Sequence, residues 1–391
     1  MTTLWRMIFH QYCGRCYLEL VEKVIMNFEA YLALDTEFVW NKTYYARLGL
    51  IQAAYPKNKN ILNYSLPELI PCGKVSDSQE LLLIDPFEAY VDSLASALEN
   101  SSIVKILHAS IQDLQHLHIW SGALPKNIFD TSMAAAYCGL GAGISLQKLF
   151  KEILGVELPK TETQSDWCRR PLTHEQLEYA IDDVVLLPAA AEKLCELCKQ
   201  MGTYEFLCED LSLLDAPELY EEHPIEQTWK KFSPGPRLLK NKKATARYCA
   251  LVAWREELAR RYDVPRVRIA ENKAVHEMSL HLPSTIEAAY AAGIKRNYIT
   301  DYMDAFPDIK NAELPSELVE AEEPDSFAIE RFVSIAKPIV EKLSDELHID
   351  KQYVASKRDL VGWYSSRESE DHKLNKGWRA ELLLPKLLKL V

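Results

Sequence analysis

The apolar run Leu32-Ala33-Leu34 leads directly into Asp35-Thr36-Glu37-Phe38. Such a run fits a strand, whose side chains alternate faces, so Asp35 and Glu37 point to one side and Thr36 to the other. Two acids side by side repel, and both resist ionisation unless something positive lies between them. On its own the stretch is compatible with a strand end entering a solvated turn. Any other reading requires a fold that brings partners to the end of this strand.

The chain around it reads as an α/β domain over about residues 25–200. Strand-like runs are expected at Leu32–Phe38, Tyr45–Ala54, Leu81–Ile84, Ile103–His108 and Asn127–Asp130. The first two suggest a hairpin through Trp40–Thr43, and Pro86 stops the third. Helices are expected at Tyr90–Leu98, Ile111–Trp120, Thr131–Cys138, Leu146–Leu154 and Thr173–Cys198. The segment Tyr55–Glu80 is polar and proline-bearing and reads as a loop or insertion. Residues 1–30 are aromatic-rich and poorly periodic.

After Cys208 strand signals vanish. Leu251, Trp254, Leu258 and Tyr262 form a helical stripe in Thr245–Tyr262, ended by Pro265. Short helices follow through Ile294, and Tyr298–Phe306 reads as another. Pro307–Asp325 reads as a solvated linker rich in Glu and Pro. A second all-helical segment begins near Ser326, carries Phe327, Phe332, Ile335, Val340 and Leu343, and ends in a helix over Trp378–Leu390.

A net charge of −12 argues against wholesale electrostatic binding to nucleic acid. The charge is unevenly spread, however. Trp229–Arg296 holds 15 Lys or Arg against 6 Asp or Glu. Lys240, Lys242, Lys243, Arg247, Arg255, Arg260 and Arg261 form a basic module there, although Glu256 and Glu257 sit among them. The pairs Cys13/Cys16 and Cys195/Cys198 have zinc-ligand spacing, but the second lies in a helical stretch, so free thiols in a reducing cytoplasm are expected. Arg6, His10 and Arg15 interrupt the early apolar residues, and no run approaches the roughly 18 apolar residues of a membrane span. The expectation is a cytoplasmic protein with no membrane partner.

Three residues beyond the strand stand out. Asp113 lies just past the fourth strand, near a helix start, where a carboxylate is favoured in any case. Tyr179 and Asp183 are spaced i, i+4, on one face of a helix, while Asp182 is turned about 100° away. Singly, each is an ordinary surface or capping residue. Jointly, Asp35, Glu37, Asp113 and Asp183 supply four carboxylates with no His or Cys among them. Hard oxygen ligands of this kind suit Mg²⁺ or Mn²⁺. Two such ions roughly 3.5–4 Å apart clamp the attacking and leaving oxygens of a phosphodiester. A tyrosine hydroxyl beside them can orient or deprotonate the attacking water.

The order D-x-E, D, Y-x-x-x-D resembles the DEDD exonucleases of the tyrosine subtype. LALDTEF, TYYARLGLIQ, LLLIDP, ILHASIQDL, FDTSMAAAYCG, SDWCRRPL and YAIDDVVLL are similar to the ribonuclease D family, from about Leu32 to Leu187. LVAWREELARRYDVPRVRI and NKGWRAELL resemble that family's two HRDC modules. The resemblance implies a ribonuclease H-like exonuclease domain, a mixed sheet flanked by helices, followed by two all-α HRDC-type domains. The implied boundaries are 1–208 for the exonuclease domain with an insertion at about 55–80, 209–310 for the first HRDC domain with its preceding linker, 311–325 for an acidic linker and 326–391 for the second HRDC domain.

The implied activity is 3′→5′ exoribonucleolysis that releases nucleoside 5′-monophosphates, in the maturation of transfer-RNA precursors and other small structured RNAs with a single-stranded 3′ end. The implied cofactors are two divalent ions, Mg²⁺ or Mn²⁺, held by Asp35, Glu37, Asp113 and Asp183, with Tyr179 positioning the water. Thr36 and Phe38 would meet the 3′-terminal nucleotide by backbone contact and base packing. Lys160, six residues before Asp166, would face the site, and His108 would stack or hydrogen-bond near it. The chain would act as a monomer. Two other readings are a DNA proofreading exonuclease with the same site and an RNA-binding protein with an inactive nuclease domain. The insertion at 55–80 departs from the tight connection expected in the family, and residues 1–30 match it poorly.

Overall fold

The structure is a computed structural model that describes residues 30–59, 61, 70–71, 79–88, 91–158, 165–232, 234, 236–319, 326–366 and 369–391. Cys13, Cys16, Tyr90, Lys160 and most of the 55–80 insertion lie outside the described residues. Among the described residues one six-stranded sheet is present, in the order β3-β4-β2-β1-β5-β6. The strands are β1 Tyr31–Val39, β2 Arg47–Pro56, β3 Ile70–Pro71, β4 Gln79–Ile84, β5 Val104–Leu107 and β6 Ile128–Asp130.

The sheet is mixed. β1 pairs in parallel with β5 (Tyr31↔Val104, Ala33↔Ile106), and β5 in parallel with β6, whereas β2 and β3 each run antiparallel to β4. A parallel strand covered on both faces reads as an unbroken apolar run. Tyr31, Leu32, Ala33 and Leu34 accordingly have no solvent exposure. The ladder to β5 covers Tyr31 to Ala33, so the acids lie beyond it, at the carboxyl end of the strand. In α/β sheets that end is where ligands bind.

Among the described residues, seven helices follow in the α/β part: α1 Asp92–Glu99, α2 Ile111–Ser121, α3 Thr131–Ala136, α4 Leu146–Leu154, α5 His174–Val185, α6 Leu187–Met201 and α7 Tyr204–Ser212. The single helix expected over Thr173–Cys198 is two. α5 ends at Val185, and α6 opens with Pro188 in its first turn. Proline has no N–H to continue the ladder, but it is tolerated at a helix start.

The next helices are α8 Lys242–Arg261, α9 Asn272–Leu280, α10 Ile286–Ala291 and α11 Ile299–Lys310. They surround a core that includes Leu251, Trp254, Leu258, Val275, Met278 and Tyr302. α11 runs through Pro307 to Lys310, four residues past the expected end, and Ser316–Val319 forms a further helical turn inside the expected linker. The contacts divide the chain into two units, and this helical one consists of Glu221–Pro324 together with Val39–Arg47, the connection from β1 to β2. Within it, Asp263 accepts hydrogen bonds from the backbone N–H groups of Tyr44 and Tyr45, both at 3.0 Å. The Tyr44 hydroxyl binds Glu256, and the Arg266 guanidinium lies 4.8 Å from the Tyr44 ring centre. Burial opposes the Glu256 charge, but the hydrogen bonds from Arg266 and Tyr44 hold its carboxyl below the usual range. This network absorbs much of the expected basic face. Arg255 is buried and donates to Ala270 O at 3.0 Å, Arg260 pairs with Glu222 and Glu256, and Arg261 pairs with Glu257. Lys240, Lys242 and Lys243 remain exposed.

The last helices are α12 Ser326–Leu347, α13 Lys351–Ala355, α14 Lys357–Ser365, α15 Gly377–Leu382 and α16 Leu384–Leu387. The one helix expected over Trp378–Leu390 is broken at Leu383, because Pro385 must sit in the first turn of α16. Asp325–Val391 belongs to the same unit as the sheet. The link is a buried ion pair in which Arg379 donates to both carboxylate oxygens of Asp210, at 2.7 and 2.6 Å. Tyr137 donates to the same carboxylate, and Arg379 also bonds the carbonyl of Val354 at 3.2 Å. Gly377 opens α15 because the Glu209 carboxylate occupies the place of a Cβ, and that carboxylate accepts from Trp378 N at 3.1 Å. No described helix is long and apolar enough to cross a membrane.

Removing one partner of a buried ion pair leaves an uncompensated charge, at a cost of about 3–5 kcal/mol. Arg379→Met should therefore lower the thermal unfolding midpoint clearly. The double variant Arg379→Met/Asp210→Leu should recover part of the loss, and calorimetry of the three proteins checks both outcomes.

Candidate active site

Three elements bring the predicted residues together. β1 carries Asp35 and Glu37 on one face, and α5 carries Tyr179 and Asp183 one turn apart. The start of α5 is fixed by a reciprocal cap, with the Thr173 hydroxyl accepting from Gln176 N and the Gln176 side chain accepting from Thr173 N. Carboxylate oxygens of Asp35, Glu37 and Asp183 all lie within 4.8 Å of one another. Asp182, half-buried, is not in this group.

Asp113, in the first turn of α2, lies outside this group of three but acts on Asp35, Glu37 and Asp183 through its charge. Its place depends on Asp130, at the end of β6. That buried carboxylate accepts from Ala109 N at 3.1 Å, Ser110 N at 2.8 Å and Ser110 Oγ at 2.9 Å, which fixes the turn just before α2. It also caps α3 through Ser132 N and Met133 N. Thr36, on the other side of β1 from its neighbours, donates Oγ1 to Asp113 Oδ1 at 2.5 Å. Its side chain is therefore occupied by an acid of the site.

Crowding shows in the acid strengths. Burial first, then the charges of Asp113, Asp183 and Glu37, pushes Asp35 well above the usual carboxylate range. Burial and its acidic neighbours push Glu37 up to about 9 and Asp183 to about 7. Asp113 is raised by burial to about 6, against the opposing pull of Thr36. Tyr179 is hydrogen-bonded to Asp183, and burial together with Asp183, Glu37 and Asp35 pushes its hydroxyl up, so it stays protonated. A cluster like this takes up positive charge, and hard oxygen donors at this spacing suit a divalent cation such as Mg²⁺ or Mn²⁺. Among the described residues this is the group of His, Cys, Asp and Glu side chains with metal-site spacing. Cys195 and Cys198 are buried on α6, and Cys198 Sγ lies 3.2 Å from Cys138 Sγ.

The segment after the undescribed residues 159–164 is anchored by Arg170. Its guanidinium bonds Asp85 at the end of β4, Gly49 O at 2.7 Å and Trp167 O at 2.8 Å. Gly49 has to be glycine, since a Cβ there would meet Trp167 O at 2.6 Å. The buried Trp167 ring lies 6.1 Å from the Tyr179 ring. Phe38 is half-buried, with its ring centre 4.1 Å from that of His116, whose imidazole burial pushes down to about 4.

His108 does not face outward as a free hydrogen-bonding group. Its Nδ1 meets Thr131 Oγ1 and its Nε2 meets Ile144 O, both at 2.9 Å, so both ring nitrogens are used inside the fold. Lys160 lies outside the described residues. Sequence reasoning did not assign Gln52, Asp130, Trp167 or Arg170. Asp85, Asp130, Trp167 and Arg170 stand inside motifs that were noted, and the available signal was a charged or bulky residue fixed within an apolar context.

Comparisons with known proteins identify the family. The 3′-5′ exonuclease family model matches residues 17–199, and the HRDC domain model matches residues 244–309. Ribonuclease D of Xanthomonas oryzae pv. oryzae is 33% identical over 271 residues, covering 69% of this chain and 68% of that protein. Ribonuclease D of Nitrobacter hamburgensis is 27% identical over 359 residues, covering 90% and 87%. The crystal structure of Escherichia coli RNase D, described as an exoribonuclease involved in structured RNA processing, superposes with a TM-score of 0.74 at 26% identity, covering 95% of each chain. With the exonuclease match lying over the strands and helices that assemble the carboxylates, the chain belongs to the ribonuclease D family and is a 3′→5′ exoribonuclease.

Proposed function

We propose that the chain is a tyrosine-subtype DEDD exonuclease that hydrolyses RNA stepwise from a single-stranded 3′ end and releases nucleoside 5′-monophosphates. The observation that carries this reading is the convergence of Asp35, Glu37 and Asp183 within 4.8 Å, with Tyr179 hydrogen-bonded to Asp183 and Asp113 electrostatically coupled to the group. Asp35, Glu37, Asp113 and Asp183 would hold two divalent ions, Mg²⁺ or Mn²⁺. When bound, such ions supply charge stabilisation to the attacking and leaving oxygens of the phosphodiester. Tyr179, protonated, orients the water through its hydroxyl. The Thr36 backbone and the Phe38 ring meet the terminal nucleotide, and the Phe38–His116 ring contact limits how far Phe38 can turn.

The domain assignment that goes with this reading is 1–208 exonuclease, 209–310 first HRDC, 311–325 linker and 326–391 second HRDC. Within the basic module, the exposed Lys240, Lys242 and Lys243 are available to meet an RNA backbone. Transfer-RNA precursors and other small structured RNAs are the proposed substrates, recognised by shape and by access to the 3′ end. The proposed form is a cytoplasmic monomer.

The test is incubation of the full chain with a structured RNA bearing a 3′ overhang, with Mg²⁺ or with EDTA and beside a DNA oligonucleotide of the same sequence. Metal-dependent shortening of the RNA one nucleotide at a time is expected. Equal or faster shortening of DNA would favour a DNA exonuclease.

Asp35→Asn and Asp183→Asn should each lower the rate by about a thousandfold, because a metal ligand's contribution is worth several kcal/mol. Asp182→Asn should stay within about threefold of the parent, since Asp182 is half-buried and lies outside the group of converging carboxylates. The reverse ranking of Asp182 and Asp183 in a single-turnover assay would overturn the assignment. Tyr179→Phe should cost about a hundredfold, the range for one positioned proton-transfer or orienting group, without weakening Mn²⁺ binding.

Without metal, the native acids bind protons more tightly than free carboxylates, whose pKa is about 4. Between that value and the raised values of about 6, 7 and 9, the native state holds more protons than the unfolded state. Stability is therefore lost as pH rises through this window. The unfolding midpoint of the metal-free protein should fall from pH 5 to pH 9. Mn²⁺ should raise it more at pH 8 than at pH 5, and an equal shift at both would count against a metal-binding cluster.

A further inference from the structure

Two neutral side chains reach the acids from within the sheet. Gln52 on β2 is wholly buried, and its Nε2 lies 3.3 Å from Asp35 Oδ2. Only the amino end of an amide can donate to a carboxylate, so Oε1 faces elsewhere. That oxygen is buried and has no hydrogen-bond partner among the described residues. Thr36, 4% exposed, gives its hydroxyl proton to Asp113.

The orphaned oxygen bears on what Gln52 is for. A buried amide carbonyl without a donor opposes folding, and an apolar side chain of the same length would fill the space without that penalty. The other residues of this stretch of β2, Leu50, Ile51, Ala53 and Ala54, are apolar and buried. The polar member of the run meets Asp35, the acid on which Asp113, Asp183 and Glu37 all act. Thr36 is used in the same way on Asp113. Each donor restricts rotation of its carboxylate.

We propose that Gln52 and Thr36 are positioning residues that orient Asp35 and Asp113, respectively, to receive divalent ions. The proposal rests on the reading of these acids as metal ligands. Groups that hydrogen-bond metal-ligating carboxylates typically contribute 10–100-fold to metal affinity or activity.

The test uses the full chain stripped of metal, with the variants Gln52→Met, Thr36→Val, Thr36→Ser and Asp35→Asn. Free Mn²⁺ is counted by electron paramagnetic resonance, thermal unfolding of each metal-free protein is recorded, and the rate on RNA is followed against Mn²⁺ concentration. Gln52→Met and Thr36→Val should fold and bind Mn²⁺ about tenfold more weakly or worse. Thr36→Ser, which keeps the hydroxyl, should bind within about twofold of the parent. The half-saturating Mn²⁺ for activity should rise with the dissociation constant, while the rate at saturating Mn²⁺ recovers most of its value. A merely structural role would move the unfolding temperature and not this split. Folded Gln52→Met with the parent's Mn²⁺ affinity overturns the role of Gln52. If Gln52→Met does not fold, equal affinities for Thr36→Val and Thr36→Ser overturn the proposal. If Asp35→Asn also binds Mn²⁺ as the parent does, the metal reading itself is wrong and the proposal falls with it. That outcome is distinct from a failure of the positioning residues alone.

Discussion

Mutual repulsion among closely packed carboxylates is the constraint to which the rest of the site is fitted. Asp35, Glu37 and Asp183 converge within 4.8 Å, and Asp113 adds a further negative charge whose field reaches them. Left free, such side chains would swing apart into solvent. They are held instead by elements whose own ends are fixed independently of the acids. Asp130 ties down the turn before α2, a reciprocal cap sets the start of α5, and Arg170 fastens the segment carrying Trp167 to β2 and β4.

The same charge distribution poses a problem for a polyanionic substrate. A site of four acids in a chain of net charge −12 repels RNA until cations intervene. In the proposed reading, divalent ions at the acids would answer part of this, and the exposed lysines at the start of α8 would supply further positive charge. Lysines in the first turn of a helix are unfavourable to that helix, because its N-terminus already carries partial positive charge. Lys242 and Lys243 therefore add nothing to the stability of α8 through its dipole.

Much of the fold was legible in the sequence, for identifiable reasons. The apolar run before Asp35 is continuous because β1 is buried on both faces, and the spacing of Tyr179 and Asp183 has one geometrical meaning on a helix. Helix lengths were misread where proline stands. Pro188 and Pro385 begin new helices that periodicity merges with the preceding ones, while Pro307 is carried inside α11. The supporting residues were not legible. Nothing local marks Asp130 as the organiser of a turn 20 residues earlier, or Gln52 as a neighbour of Asp35, since both relations exist only once strands from separate parts of the chain are paired. Arg255, Arg260 and Arg261 misled in the opposite sense, because charge counting cannot separate a cation facing solvent from one already paired.

The ion pair of Asp210 with Arg379 has a consequence for how the protein is made. Its partners stand 169 residues apart in sequence, yet both lie in one compact unit. At translation rates of about 5–20 residues per second, the ribosome needs on the order of ten to thirty seconds to travel from the first to the second. Throughout that interval the α/β layer has its carboxylate, and Tyr137 beside it, facing a place its guanidinium has not yet reached. The buried pair that ties the last helices to the α/β layer is therefore completed only when those helices have been made.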